Sequence, residues 1–268
     1  MSDGAWEERL SHIMEMDSRL AALPGWRPIE PAWARVIGGV YLSRPDVAIG
    51  RKGRRAGGTS TWLRVAVAEC TSGTWDIPPD DVGVYTIMSA DLPQAKRRIR
   101  SCVEICKALD IPHDPTTTEI RFPDHRTSIM AKAASVKNAV SDTNIGALLD
   151  EMALWQDDNG ANPATEILAM MMPAFGTQRG AFPMLMSAPW TTTDPHAMEY
   201  ADRGPGRHRF IITTWEGNPT MPEDYCRRIA KTDAEFRRQY AAEPLDAIGG
   251  IAFPASLIRR AMGMVAES

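Results

Sequence analysis

The chain has 268 residues, with 30 lysines and arginines against 34 aspartates and glutamates, a formal net charge of -4 at neutral pH. That length can bury a large core in one α/β domain with appendages or in two small domains, and the acidic balance excludes a polybasic nucleic-acid binder, so any DNA contact must come from local patches. The four cysteines (Cys70, Cys102, Cys106, Cys226) form no CxxC pair, and neither a membrane-spanning apolar run nor a signal-peptide pattern occurs. These features point to a soluble cytoplasmic protein with free thiols and no membrane association.

Taken in order, Trp6 to Leu23 carries apolar positions at helical spacing (Trp6, Leu10, Ile13, Met14, Leu20), and Pro24-Gly25 ends the pattern. Pro28 to Pro45 is punctuated by proline and glycine, and its Trp33, like Trp26 just before it, reads as a surface-packed aromatic rather than as a lid over a base. Residues 1–45 form a lead-in. Asp46 to Gly50 is a short strand. It runs into Arg51-Lys52-Gly53-Arg54-Arg55-Ala56-Gly57-Gly58-Thr59-Ser60-Thr61, and a helix follows from Trp62 to Glu69. Strand, glycine-rich turn, hydroxyl residue and helix is the context of a phosphate-cradling loop, because glycines let backbone N–H groups close round an anion and the helix N-terminus adds partial positive charge. The pattern GxxxxGK[ST] is not met, since Gly58 stands where the lysine belongs. The plainer alternative is a basic turn before a helix.

Gly83 to Met88 is a second strand, ending at Ser89-Ala90-Asp91. Gln94 to Leu109 predicts an amphipathic helix whose Lys96, Arg97, Arg98 and Arg100 read as a solvated face, with Cys102 and Cys106 together on another. Thr118 to Phe122 and Thr127 to Ala131 predict a hairpin about Pro123-Asp124-His125-Arg126, with His125 a loop residue. The run Ile145 to Leu149 reads as a buried parallel strand ending in Asp150-Glu151. Acids at the carboxyl end of such a strand sit at the mouth of the sheet, where open α/β folds bind ligands. Asp followed by Glu suits nucleotide hydrolysis, the first holding Mg2+ and the second preparing water. A strand ending in solvated acids is the alternative. A loop spans Gln156 to Asn162, a helix Ala164 to Met172, and a strand Phe182 to Met186 leads to Ser187-Ala188-Pro189. His208 to Thr213 is a further strand, Pro222 to Ala242 is helical with a break near Thr232-Asp233, and Ser256 to Met262 is a last helical turn or two. Strands alternating with helices predict a mostly parallel sheet flanked by helices.

In this order the motifs resemble the ATPase domain of the large terminase subunit, the DNA-packaging motor of tailed phages, over roughly Val47 to Ala261. Gly53-Arg54-Arg55-Ala56-Gly57-Gly58-Thr59 is similar to that family's phosphate loop, and Ser89-Ala90-Asp91 with Gln94-Ala95 to its second-strand signature. Leu148-Leu149-Asp150-Glu151 resembles its Walker B stretch and Ser187-Ala188-Pro189 its coupling motif. Phe236 to Tyr240 with Glu243 and Phe253-Pro254 looks like the segment closing the ATPase half.

The resemblance implies an additional-strand (RecA-like) P-loop NTPase over 46–245, followed by a linker or helix over 246–268, that uses ATP and Mg2+ to drive double-stranded DNA into a procapsid. By the same resemblance Thr59 (or Ser60) and Asp150 place Mg2+, Glu151 prepares water and Ser187 relays nucleotide state. Gly53, Arg55, Ala56, Gly57, Gly58, Thr59 and Ser60 bind the nucleotide, and Lys52, Arg54 or Arg55 supplies charge. Some members carry their lysine early in the loop, so Lys52 is expected to replace the missing one and Gly58→Lys to be harmless. Implied partners are double-stranded DNA, a portal protein, a small terminase subunit, copies of this chain in a ring, and a separate nuclease chain, no nuclease activity being expected here. DNA contact is expected at Lys96, Arg97 and Arg100, and secondarily at Arg237 and Arg238. The rival reading is a nucleotide-inactive scaffold or assembly factor that keeps the fold.

Overall fold

A computed structural model describes residues 3–139 and 142–246. The expected helix at Ser256 to Met262 and the Phe253-Pro254 pair lie outside the described residues. An eight-stranded sheet organises the molecule, with strands β1 (Val47–Lys52), β2 (Gly83–Ser89), β3 (Asp114–Pro115), β4 (Glu119–Phe122), β5 (Thr127–Ala133), β6 (Thr143–Asp150), β7 (Pro183–Ser187) and β8 (Arg207–Ile212). Their order is β3-β4-β5-β2-β6-β7-β1-β8. The six strands from β5 to β8 in that order run parallel, and the β4–β5 hairpin is antiparallel, as its turn residues predict. One strand, β7, therefore lies between the glycine-loop strand β1 and the acidic strand β6. That interposed strand is the additional-strand arrangement.

The parallel strands are buried on both faces, which is why their sequences show apolar runs without alternation. Period two still sorts their side chains between two cores. Ala48, Leu148, Met184 and Met186 pack with helices α1 (Asp3–Ala21), α2 (Pro31–Ser43), α3 (Gly58–Thr71) and α4 (Leu92–Ala108). Val47, Ile49, Ala147, Leu149 and Leu185 face α5 (Ala164–Phe175). Shorter helices α6 (Pro195–Ala201), α7 (Thr214–Gly217), α8 (Glu223–Ile229) and α9 (Asp233–Gln239) complete the described chain. The break expected near Thr232-Asp233 is real, with Thr232 capping α9 through its side chain. All four cysteines are free and buried, and Cys102 and Cys106 share the buried face of α4.

The segment Pro28 to Pro45 departs from expectation. Pro31 occupies the first turn of α2, where its missing N–H costs nothing, so a proline that reads as a break is a helix start. Trp33 is not a surface aromatic but fully buried. Arg9 on α1 is buried as well, stacked on Trp6 and Trp75 with its guanidinium 4.2 and 4.6 Å from the ring centroids. Its Nη1 pairs with Glu69 of α3 at 3.3 Å, and Tyr41 of α2 also hydrogen-bonds Glu69, so three helices meet on one buried carboxylate. The described part of the first 45 residues thus packs into the core of the sheet. Among the described residues no helix is long and apolar enough to cross a membrane.

Candidate active site

Between β1 and α3 the chain makes a tight loop whose carbonyls are held by side-chain donors. Thr214 Oγ1 donates to the Arg54 carbonyl at 2.8 Å and Asn218 Nδ2 to the Arg55 carbonyl at 3.0 Å. Trp33 Nε1 donates to the Ala56 carbonyl at 2.6 Å and Ser60 Oγ to the Gly57 carbonyl at 2.8 Å. A trans peptide points its N–H away from its C=O. These bonds fix the orientation of four successive peptides. Of the N–H groups that follow them, that of Ala56 stays within the turn, donating to the Gly53 carbonyl at 3.3 Å. A glycine-rich turn so fixed is the kind of backbone that can cradle an anion. The backbone is bent to suit, with Arg55 and Gly57 at φ of 64° and 83°. Gly53 lies beneath the loop, where a Cβ would come 2.5 Å from both Thr214 N and Tyr240 O.

Helix α3 begins at Gly58, so the free N–H groups of its first turn also face this site. Thr59 Oγ1 donates to Asp150 Oδ1 at 2.9 Å, joining the loop to the end of β6. Lys52, at the end of β1, is buried, and its Nζ pairs with Glu151 Oε1. Its aliphatic stem fills the space that a side chain at position 58 would need: a Cβ there would lie 2.8 Å from Lys52 Cδ, 2.7 Å from Trp33 and 2.6 Å from Met186 Sδ. The expectation that Gly58→Lys is harmless is therefore corrected, because the early lysine and a later one compete for the same volume.

The two acids differ. Asp150 is fully buried, and burial pushes its carboxyl up against the opposing pull of Lys52 and Arg98. Burial works against Glu151 too, but the charge and hydrogen bond of Lys52 win and hold its carboxyl down, with help from the Ala188 N–H. Glu151 Oε2 accepts from Ala188 N at 3.0 Å and from Ser187 Oγ at 3.4 Å. Glu151 has a left-handed backbone, with φ of 57°, which is uncommon for a residue with a side chain and turns it off the strand line.

Lys52, Arg54, Arg55, Ala56, Gly57, Gly58, Thr59, Ser60 and Glu151 line one cleft of about 760 Å³. Asp150 and Ser187 are buried behind it, Ser187 bridging the Ala153 N–H (3.2 Å) and Glu151, so it holds the acid rather than lining the cleft. Arg98 also lines the cleft, departing from the solvated face expected for α4. Its Nε and Nη2 both donate to Asp150 Oδ2, at 3.1 and 2.8 Å. The sequence carries a signal for this: Arg98 lies three residues after buried Ala95 and one before buried Ile99, at the border of the apolar face, whereas Arg97 and Arg100 point to solvent. Trp33, Thr214 and Asn218 carry no such signal, since they act through backbone carbonyls far along the chain.

Among the described residues no group of three histidine, cysteine or acidic side chains could enclose a metal ion. One buried carboxylate behind a hydroxyl that lines the cleft instead suits Mg2+ shared with phosphate oxygens, a hard ion that keeps few protein ligands. The pair Asp150–Thr59 fits that group.

Sheet order and loop together define the additional-strand P-loop fold. Within that class the chain has the fold of the large terminase ATPase domain. The ATPase domain of the Thermus phage P74-26 large terminase matches with a TM-score of 0.61 at 16% identity, covering 84% of this chain and 96% of that one. The bacteriophage HK97 large terminase matches at 0.67 and 17%, covering 88% and 55%. A large terminase from a thermophilic bacteriophage, in complex with ADP, matches at 0.61 and 13%, covering 81% and 54%. The chain thus spans little over half of the latter two proteins. No protein-family model matches the sequence, and no curated protein matches it.

Proposed function

We propose that the chain is the ATP-hydrolysing domain of a phage-type DNA-packaging motor. One observation carries this reading: a glycine-rich loop with its carbonyls fixed by side-chain donors lies against Lys52–Glu151 and Thr59–Asp150 pairs at the carboxyl ends of β1 and β6. The amides of the loop and of the α3 N-terminus bind the phosphates of the nucleotide, a ligand that the ADP-bound phage terminase makes reasonable. Asp150 and Thr59 are the residues that hold Mg2+, which when bound neutralises charge on phosphate oxygens.

Lys52 leaves Glu151 for the outer phosphates, acting as a point charge that needs no fixed geometry. Lys52 keeps Glu151 ionised until the exchange, and its departure removes the main charge holding that carboxyl down, so Glu151 becomes the better acceptor for the proton of the attacking water. Ser187 and the Ala188 N–H hold the other oxygen of Glu151, so β7 shifts with the state of the acid. Arg54, unpaired among the described residues and lining the cleft, is a second cation for the phosphates. Duplex DNA, a portal, a small subunit and a ring of copies complete the proposal, which the likeness to the HK97 and ADP-bound terminases supports only at the level of fold.

The test is steady-state ATP hydrolysis with and without duplex DNA, beside Lys52→Ala and Glu151→Gln. Both variants are expected to lose at least about a hundredfold in turnover, and Glu151→Gln to retain nucleotide binding. Binding of ATP without turnover in any condition, DNA and portal included, would favour the inactive-scaffold reading. Normal turnover by Lys52→Ala would move the charge to Arg54 or Arg55.

A further inference from the structure

We infer that Arg98 is a gate on Asp150: its guanidinium and a divalent cation compete for one carboxylate oxygen, so cation binding releases Arg98 into the cleft. The inference rests on the reading of Asp150 as the metal-binding acid. Asp150 is 1% exposed and has two oxygens, one taken by Thr59 and the other by two N–H groups of Arg98 converging from α4. A divalent cation that takes an oxygen of Asp150 meets the guanidinium charge already 2.8 Å from that carboxylate, and the two positive charges oppose each other.

The gate can move. Arg98 keeps 30% of its side chain exposed against 1% for Asp150, and its free end borders the open cleft. It stands on α4, whose first turn is capped by Asp91, so its movement would need only side-chain rotation about a formed helix. Once off the acid, the planar fork of the guanidinium is left in the cleft that the loop residues also line, and it suits phosphate oxygens. The site is thereby charge-neutralised by its own side chains, Lys52 on Glu151 and Arg98 on Asp150, and both cations are exchanged when a charged ligand arrives.

The probe is Mn2+ alone, titrated by electron paramagnetic resonance into the nucleotide-free full chain. Arg98→Gln is expected to bind Mn2+ at least tenfold more tightly than wild type, and the gain to vanish in Arg98→Gln/Asp150→Asn. Equal or weaker Mn2+ binding by Arg98→Gln overturns the gate, as does a gain that survives Asp150→Asn. A merely structural arginine would lower the melting temperature without moving Mn2+ affinity. Should Arg98→Gln not fold, wild type serves. Phenylglyoxal labelling of Arg98, followed by peptide mass spectrometry, is expected to quicken when Mn2+ is added, and an unchanged rate overturns the inference. Because neither readout uses ATP, failure of the ATPase reading shows separately as absent nucleotide binding.

Discussion

At the residue scale the site depends on where side chains make room for one another. Lys52 and Gly58 are the clearest pair: the stem of one occupies the volume the other leaves empty. Gly58→Lys is therefore expected to destabilise the fold by about 1–3 kcal/mol, as overpacking of a filled interior does, and to weaken nucleotide binding. Urea unfolding beside ADP titration checks both, and a Gly58→Lys protein as stable as wild type would show that Lys52 can vacate the space. Trp33 poses a different question. Trp33→Phe keeps a ring in the core but deletes the 2.6 Å hydrogen bond to the Ala56 carbonyl. An orphaned buried carbonyl costs about 1–3 kcal/mol. If the carbonyl turns inward to find water, it also opposes phosphate, so ADP affinity should fall about tenfold or more. Unaltered affinity would mean that Thr214, Asn218 and Ser60 suffice to hold the loop.

At the element scale α6 sets an acid limit on stability. Asp194 caps this helix by accepting from Ala197 N at 2.8 Å, and His196 in its first turn is 1% exposed, facing Asp194, Arg51 and Glu151. Burial pushes the His196 pKa down to about 4 from its usual 6.5. A depressed folded pKa means that folding favours the neutral ring. The stability is thus fully present above pH 6.5 and drains away as pH falls toward 4. Over that window the loss amounts to about 3 kcal/mol. Unfolding free energies at both ends, for wild type and His196→Gln, check this, and the variant should show a distinctly shallower acid slope. Equal slopes would mean that the ring reaches water. The buried carboxylate at the meeting of α1, α2 and α3 makes a matching prediction. Arg9→Met leaves Glu69 buried without its cation, and Glu69 is already pushed up by burial, so it should fold protonated at a cost of about 3 kcal/mol, read from urea unfolding at neutral pH.

At the scale of the whole molecule the open question is how an acidic protein would hold DNA. Arg237 is tied to Glu243 at 2.7 Å, and Arg238 lies 4.3 Å from the centroid of Trp190, so the second expected patch is partly spoken for. In the first expected patch Arg97 and Arg100 stay exposed on α4 and Lys96 is half-buried, while the neighbouring Arg98 is tied to Asp150. Duplex binding by the single chain is expected to be weak and to fall about tenfold or more between roughly 50 and 200 mM salt, since it rests on phosphate contacts. Fluorescence anisotropy with Arg97→Glu/Arg100→Glu locates the patch: retained binding by that variant would place it elsewhere. A ring of copies would multiply the same contacts without adding new ones.

The strands, the hairpin, the glycine loop and the acidic pair were legible along the chain because each is a local pattern. Apolar runs mark strands buried on both faces, and glycines and adjacent acids mark what their neighbours do. Lys52, the lysine just before Gly53, could be named from the loop itself. What the sequence could not disclose is set by side chains meeting across long separations. Arg98 closes on Asp150 from 52 residues away, and Thr214 and Asn218 hold loop carbonyls 160 and 163 residues back. Trp33 and Pro31 misread for the same reason. A tryptophan between prolines looks like loop until a carbonyl from another segment gives its N–H a buried partner, and only the folded chain brings that carbonyl near.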